Sequence, residues 1–100
     1  MKYKIVDIKH SGRKGDRYTQ VEDPRYKPLF GAEFIADDIC SVKQYNNLQM
    51  YLINNNMYDW WQTSAVLQIS RDIKTHNLIV ETINTIYELE ELSKNGRSKN

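Results

Sequence analysis

Short runs of alternating apolar and polar residues dominate the chain. Residues 3–9 alternate, with a change of face near Val6, and predict a first strand. Residues 17–22 predict a second strand or an extended arm. Residues 29–36 predict a strand that bends or bulges at Gly31. The first third of the chain therefore has a pattern typical of a sheet.

Residues 37–53 fit two patterns. Read as a helix, the segment begins at an aspartate cap and its apolar residues recur at helical spacing. Read as a sheet, residues 38–43 and 48–53 are strands joined by a turn at 45–47, where asparagine tolerates left-handed backbone. We favour the sheet and keep the helix as the alternative.

The second half of the chain predicts a hairpin. Residues 64–70 alternate, with Ala65, Leu67 and Ile69 on one face of a strand. A turn region follows, and alternation resumes over residues 78–90, so these two segments are expected to pair.

About six short strands with few helix signals indicate a mainly β protein. We expect one domain over residues 1–92, forming a small half-open β-barrel or sandwich of SH3-like or OB-like size. The alternative is an α+β fold with one helix near 37–53. Residues 93–100 contain no hydrophobic residue and are expected to be a disordered basic tail.

Composition excludes several classes of protein. The chain has 100 residues, of which 40% are hydrophobic, which is enough for one folded domain. It contains no apolar run long enough to cross a membrane as a helix, and its first residues lack the apolar core of a signal peptide. Cys40 is the single cysteine, so an internal disulfide is excluded. We therefore expect a cytoplasmic protein.

The residues that commonly carry catalysis or bind metals lack a recognisable arrangement. His10, His76 and Cys40 have no carboxylate or thiol neighbour at a catalytic spacing. The aspartates do not follow an EF-hand pattern, and a cysteine-based zinc site would need three other ligands. We expect a protein that is not an enzyme and that uses neither a cofactor nor a metal ion.

Charge is distributed unevenly, although the net charge is only +1. Residues 1–30 hold eight Lys or Arg and four Asp or Glu, whereas residues 31–92 hold three and nine. The basic and aromatic segment 9–27 is typical of surfaces that bind single-stranded nucleic acid or acidic proteins. Its candidate contact residues are Arg13, Lys14, Arg17, Arg25 and Lys27. The loop 10–17 could also hold a phosphate, but it lacks P-loop spacing.

An aromatic segment supplies the other candidate contacts. Tyr58, Trp60 and Trp61 lie within five residues. Tyrosine and tryptophan dominate the binding energy of protein interfaces, because they offer a large contact area with few rotatable bonds. If the two tryptophans continue a strand, one points into the core and the other points outward.

A weak resemblance covers residues 3–6 and 63–89. Residues 63–66 read Thr-Ser-Ala-Val and residues 80–89 read Val-Glu-Thr-Ile-Asn-Thr-Ile-Tyr-Glu-Leu. This ending resembles that of small uncharacterised proteins from phages and mobile elements of low-GC Gram-positive bacteria. The resemblance implies a small β-rich cytosolic protein of a mobile element and assigns it no reaction.

These observations favour a non-enzymatic protein that binds and modulates or inhibits a host protein. A bacterial defence system is one such target, as it is for anti-CRISPR proteins. The alternative is a small nucleic-acid-binding module that uses segment 9–27. Self-association is also compatible with the sequence, because small barrels often expose sheet edges that a second copy can pair with. No membrane partner is expected.

Overall fold

Six antiparallel strands form a closed barrel in a computed structural model, which describes residues 1–12 and 14–92. The strands follow one another around the barrel in chain order, and β1 pairs with β6 to close it. Their bounds are β1 Lys2–His10, β2 Glu33–Ile35, β3 Asn47–Ile53, β4 Trp60–Arg71, β5 Leu78–Thr82 and β6 Thr85–Glu91. The predicted mainly β fold with about six strands is confirmed, and the barrel is closed rather than half-open.

The hairpin predicted between residues 64–70 and 78–90 is confirmed for residues 78–82, which form β5 and pair with β4. Residues 85–91 instead turn back as β6 and pair with β5 and β1. The strand expected over residues 48–53 is confirmed. The alternative helix near 37–53 is wrong. The strand expected over residues 38–43 is also wrong, since Ile39–Ser41 is a 3-10 turn. Local hydrogen bonds explain this turn: the Asp38 carboxylate accepts from the Cys40 amide at 3.0 Å, and the Ser41 hydroxyl donates to the Asp38 carbonyl.

Two other segments are less regular than the alternation predicts. Residues 17–22 contribute only an isolated bridge between Lys9 and Gln20. The first two of these residues are in a turn, with Tyr18 at φ +70°, and residues 19–22 form an extended arm. Residues 29–36 form a strand only from Glu33 onward. The preceding residues form a 3-10 turn, Lys27–Leu29, and the chain then passes through Gly31 at φ +79°.

The core fills the interior of the barrel. A bulge between Ile5 and Asp7 leaves Val6 41% exposed, while Ile5 and Ile8 are both fully buried. This is the change of face expected near Val6. The two 3-10 turns each add one buried side chain, and Val21 of the extended arm adds another. The largest fully buried side chains are Tyr3, Tyr87, Phe34, Ile5, Ile8, Leu29, Ile39, Met50, Leu78 and Leu89.

Among the described residues, none belongs to a helix long and apolar enough to cross a membrane. The tail expected to be disordered, residues 93–100, lies outside the described residues.

Tyr3 provides a test of the core. Its ring stacks on Phe34 at 5.4 Å between centroids, and its hydroxyl accepts a buried hydrogen bond from the Ile39 amide at 3.1 Å. Tyr3→Phe keeps the ring and leaves that amide without its acceptor. We expect the free energy of unfolding to fall by about 1 to 3 kcal/mol, measured by urea denaturation. Tyr51→Phe, which removes an exposed hydroxyl, should change it by less than about 0.5 kcal/mol; equal effects would contradict this role of Tyr3.

Candidate functional site

The aromatic segment enters the barrel at the start of β4, and its two tryptophans separate there. Cross-strand register places Trp60 opposite Tyr51 and Trp61 opposite Met50. Trp60 is 50% exposed, whereas Trp61 is partly buried and packs against the core. Successive residues of a strand point to opposite faces, so one tryptophan points outward and the other inward, as the sequence predicted.

Trp61 is the centre of an aromatic cluster with Tyr26, Tyr58 and Tyr87. Its ring lies 5.2 Å from those of Tyr26 and Tyr58, and its Nε1–H donates to the Tyr87 hydroxyl at 3.1 Å. The Tyr58 hydroxyl donates to the Arg25 carbonyl at 3.0 Å. Tyr58 and Trp61, which were both predicted to contact a partner, therefore hold residues 25–26 against the barrel.

Burial within this cluster changes the acidity of its hydroxyl groups. Burial raises the pKa of Tyr87 to about 12, although hydrogen bonds from Thr85 and Trp61 partly oppose this rise. Burial also raises the pKa of Tyr26. Both hydroxyls are therefore neutral at physiological pH, and the cluster is an uncharged structural unit.

Trp60 belongs to a different group of side chains on the outer wall. Ile35 of β2 pairs with Tyr51 of β3, and Tyr51 pairs with Trp60 of β4. These three residues, which we call the apolar row, are 51%, 56% and 50% exposed. Paired residues on adjacent strands have Cβ atoms only about 5 Å apart, so the row is one continuous apolar strip across three strands.

The apolar row lies beside a cleft and has a lysine at its β1 end. The cleft, about 470 Å³ in volume, is lined partly by Ile53 and Glu33, each two residues along its strand from a row member. Lys2 of β1 pairs with Ile35 in register and forms a salt bridge to Glu33 at 3.3 Å. Asp59, which precedes Trp60, is exposed, but its carbonyl accepts from the amide of the core-facing Leu52, so Asp59 is on the strand phase opposite to the row.

Sequence reasoning identified Trp60 and missed Ile35 and Tyr51. The burial of Leu48 and Met50 places Tyr51 on the outward phase of β3. A large aromatic residue on the outward phase of an otherwise polar strand face is a signal that could have been found. Its alignment with Ile35 and Trp60 depends on the register between strands, which local patterns do not specify.

Arg17 makes structural contacts within the protein, chiefly with Glu81. Its guanidinium makes two hydrogen bonds to the Glu81 carboxylate at 2.9 and 3.1 Å and donates to the Ser11 carbonyl at 2.6 Å. The same group lies 4.6 Å from the centre of the Tyr18 ring. Hydrogen bonding to Glu81 raises the pKa of Arg17. The residue therefore joins the loop before the extended arm to β5 instead of presenting a free cation.

The other predicted basic residues do not form a single cationic surface. Arg25 forms a salt bridge to Asp23 at 2.7 Å. Lys14 and Arg25 line a groove of about 460 Å³, which Asp16 and Asp23 also line. Lys27 begins a 3-10 turn and is exposed. Arg13 lies outside the described residues.

The candidate catalytic residues remain apart. His10 Nδ1 lies 3.4 Å from the Asp16 carboxylate, and both groups are about one-third exposed. His76 lies in the turn between β4 and β5, and the exposed Cys40 has its Sγ 4.0 Å from the Arg71 guanidinium. Within residues 1–12 and 14–92, no three His, Cys, Asp or Glu side chains lie close enough together to hold a metal ion.

Comparisons with known proteins identify no relative of the chain: no protein-family model, curated protein or solved structure matches it. The resemblance to phage and mobile-element proteins therefore stays a prediction.

Because the pKa of Tyr87 is raised, the free energy of unfolding should fall at alkaline pH. The neutral hydroxyl contributes fully below the unfolded-state pKa near 10, and its contribution is lost as the pH rises towards the folded-state value of about 12. The loss over this window is about 2 to 3 kcal/mol. Urea unfolding at pH values between 9 and 12 should show a steeper decline for the wild type than for Tyr87→Phe. Parallel declines would contradict a neutral, buried Tyr87.

Proposed function

We propose that this protein is a non-enzymatic protein-binding protein whose contact surface is centred on the apolar row. The observation that carries the proposal is the alignment of Ile35, Tyr51 and Trp60 on three adjacent strands, each about half exposed. Single exposed hydrophobic residues are normal on protein surfaces, whereas a contiguous strip that includes tryptophan and tyrosine is typical of binding sites.

The exposed apolar area of the row fits a protein interface. A tryptophan or tyrosine buries about 150 to 250 Å², so the exposed half of each offers roughly 100 Å² to a partner. At about 25 cal/mol per Å², covering that area contributes about 2 to 3 kcal/mol for each aromatic residue. The row is therefore large enough to be the centre of an interface, and surrounding polar contacts must supply the remaining area.

The partner that we propose is a protein of the bacterial host, bound in the cytoplasm. The sequence resemblance to phage and mobile-element proteins supports this choice, because a protein of a mobile element is made in the cell whose proteins it can bind. A small rigid barrel with an apolar face can inhibit a larger protein by covering its functional surface. An inhibitor of a bacterial defence system, in the manner of an anti-CRISPR protein, is the specific form of this proposal.

The second candidate function is binding of single-stranded nucleic acid in the groove beside Lys14 and Arg25. It is supported by Tyr26, an aromatic residue that lines the same groove. Asp16 and Asp23 also line the groove and oppose a polyanion there. This function requires affinity that falls steeply with salt, because phosphate binding releases counterions.

A pull-down with matched variants tests the proposed function. The full chain, tagged after Asn100, is incubated with a lysate of a low-GC Gram-positive bacterium, with and without nuclease and at low and high salt. We expect a host protein that survives nuclease and high salt, and at least a tenfold loss of it with Trp60→Ala. Ile73→Ala is the control, because Ile73 is 90% exposed in the turn between β4 and β5, away from the row.

The results of this pull-down distinguish protein binding by the apolar row from nucleic-acid binding in the groove. Equal capture by the Trp60 and Ile73 variants would contradict the apolar row as the binding surface. Recovery of nucleic acid only at low salt, lost with Arg25→Ala and retained with Trp60→Ala, would favour the groove beside Lys14 and Arg25 instead.

A further inference from the structure

We propose that the β4–β5 turn, residues 72–77, is a second binding site, which inserts Ile73 into an apolar pocket of another protein. The rim of that pocket carries carboxylates, which meet the ammonium group of Lys74. This site goes beyond the proposed function and does not rest on it, because the turn and Trp60 lie at opposite ends of β4.

The first observation is the exposure of Ile73. Among the residues that the structure describes, it is the most exposed large hydrophobic residue, at 90%. The other residues of the turn are polar or charged, as is typical of turns. A β-branched aliphatic side chain favours a half-buried strand and gains nothing from an exposed turn. A residue that conflicts with its local environment in this way is expected at a functional site.

Hydrogen bonds fix the backbone on both sides of Ile73. The Asp72 carboxylate accepts from the Lys74 and Thr75 amides at 2.8 and 2.9 Å. The Asp72 carbonyl accepts from the His76 amide at 2.9 Å. Because these bonds order the turn before it meets a partner, binding through Ile73 loses little conformational entropy.

Side chains at the base of the turn join it to β6. The Arg71 guanidinium donates to the His76 carbonyl and to the Glu91 carboxylate, each at 2.8 Å. The Asn77 side chain donates to the Glu88 carboxylate at 2.9 Å. The Ile73 side chain takes part in none of these contacts. The turn therefore projects from the barrel as a fixed unit whose apolar tip has no role in holding it together.

The charges of the turn indicate the chemistry of the pocket. Hydrogen bonds from the Thr75 and Lys74 amides occupy the Asp72 carboxylate and lower its pKa. Lys74 is exposed, and within residues 1–12 and 14–92 its ammonium group forms no salt bridge. The surface beside Ile73 thus offers a cation, and carboxylates at the rim of an apolar pocket are its complement.

A protein pocket fits this turn better than a membrane surface does. Stable attachment to a membrane requires a long acyl chain combined with a second signal, such as a cluster of basic residues. One isoleucine and one lysine supply far less apolar area and charge. A pocket, in contrast, encloses a single aliphatic side chain on all sides and removes nearly all of its exposed area from water.

The length of β4 separates this site from the apolar row. The strand has 12 residues, from Trp60 to Arg71, so its ends are about 30 to 35 Å apart at about 3.3 Å per residue. A standard interface covers about 800 Å² of each partner, which is a patch about 30 Å across. Two different partners can therefore occupy the row and the turn at the same time.

A quantitative pull-down with variants of the turn tests this inference. The full chain, tagged after Asn100, is incubated with the lysate of a low-GC Gram-positive bacterium, and recovered proteins are measured by mass spectrometry. We expect one protein whose recovery falls about tenfold or more with Ile73→Ala and stays within about twofold with Ile73→Val. Trp60→Ala should leave its recovery unchanged. Circular dichroism checks that each variant is folded.

Charge variants test the chemistry of the pocket. Lys74→Glu should reduce recovery of the same protein about threefold or more, whereas Lys74→Arg should retain it. Once that protein is purified, replacing a rim carboxylate by lysine should restore the binding of Lys74→Glu. Equal recovery with Lys74→Glu and Lys74→Arg would contradict an acidic rim.

Three other results would overturn the inference. The first is the absence of any protein whose recovery depends on Ile73. The second is a protein lost equally with Ile73→Ala and Trp60→Ala, because one partner would then cover both ends of β4. The third is sedimentation with phosphatidylglycerol vesicles that is abolished by Ile73→Ala, because the turn would then bind a membrane.

Failure of this inference is distinguishable from failure of the proposed function. A host protein captured through Trp60 and insensitive to Ile73→Ala, with no other protein recovered, supports the apolar row and refutes the turn as a binding site. A protein captured through Ile73 alone supports the turn and refutes the row. Two proteins with reciprocal dependence on Trp60 and Ile73 support both.

Discussion

The antiparallel pairing of β1 with β6 closes the barrel. It joins residues near the start of the chain to residues near its end, from Tyr3 opposite Glu91 to His10 opposite Thr85. Because this pairing closes the sheet, the interior has a fixed and small volume. Large apolar side chains that exceed this space must lie either at the margin of the core or on the outer wall. Trp61 takes the first position and Trp60 the second.

The adjacent tryptophans thus link two features with different roles. Trp61 anchors the aromatic cluster, which holds the segment around Arg25 against the barrel. Trp60 contributes to the apolar row, which faces outward. Since both residues belong to the same stretch of β4, the packing of Trp61 fixes the backbone from which Trp60 projects. A binding surface built on a strand in this way is held more rigidly than one built on a loop.

Several elements could be predicted from the sequence because their signals are local. Alternation identified β1, including the change of face at Val6, and it identified the hairpin of β4 and β5. It failed for residues 38–43, where short-range hydrogen bonds to Asp38 formed a 3-10 turn instead of a strand. It also placed Ala65, Leu67 and Ile69 on one face of a strand. Ile69 packs against the core, but a bulge between Val66 and Gln68 shifts the phase of β4, so Val66 is buried in place of Leu67.

The candidate site was only partly predictable, for a related reason. The composition of the segment that contains Trp60 marked it as a contact residue. Tyr51 and Ile35 join it only through the register of three strands, and Arg17 is removed from the basic surface by Glu81, a residue 64 positions away. Such long-range pairings follow from tertiary structure, and no local pattern contains them.

Closure of the barrel by β6 also has a consequence for folding during synthesis on the ribosome. Until β6 emerges from the exit tunnel, β1 lacks the neighbour that completes its pairing, and the apolar faces of five strands have no finished interior to enclose them. Before β6 pairs, the apolar faces of the other strands are therefore open to association with other molecules.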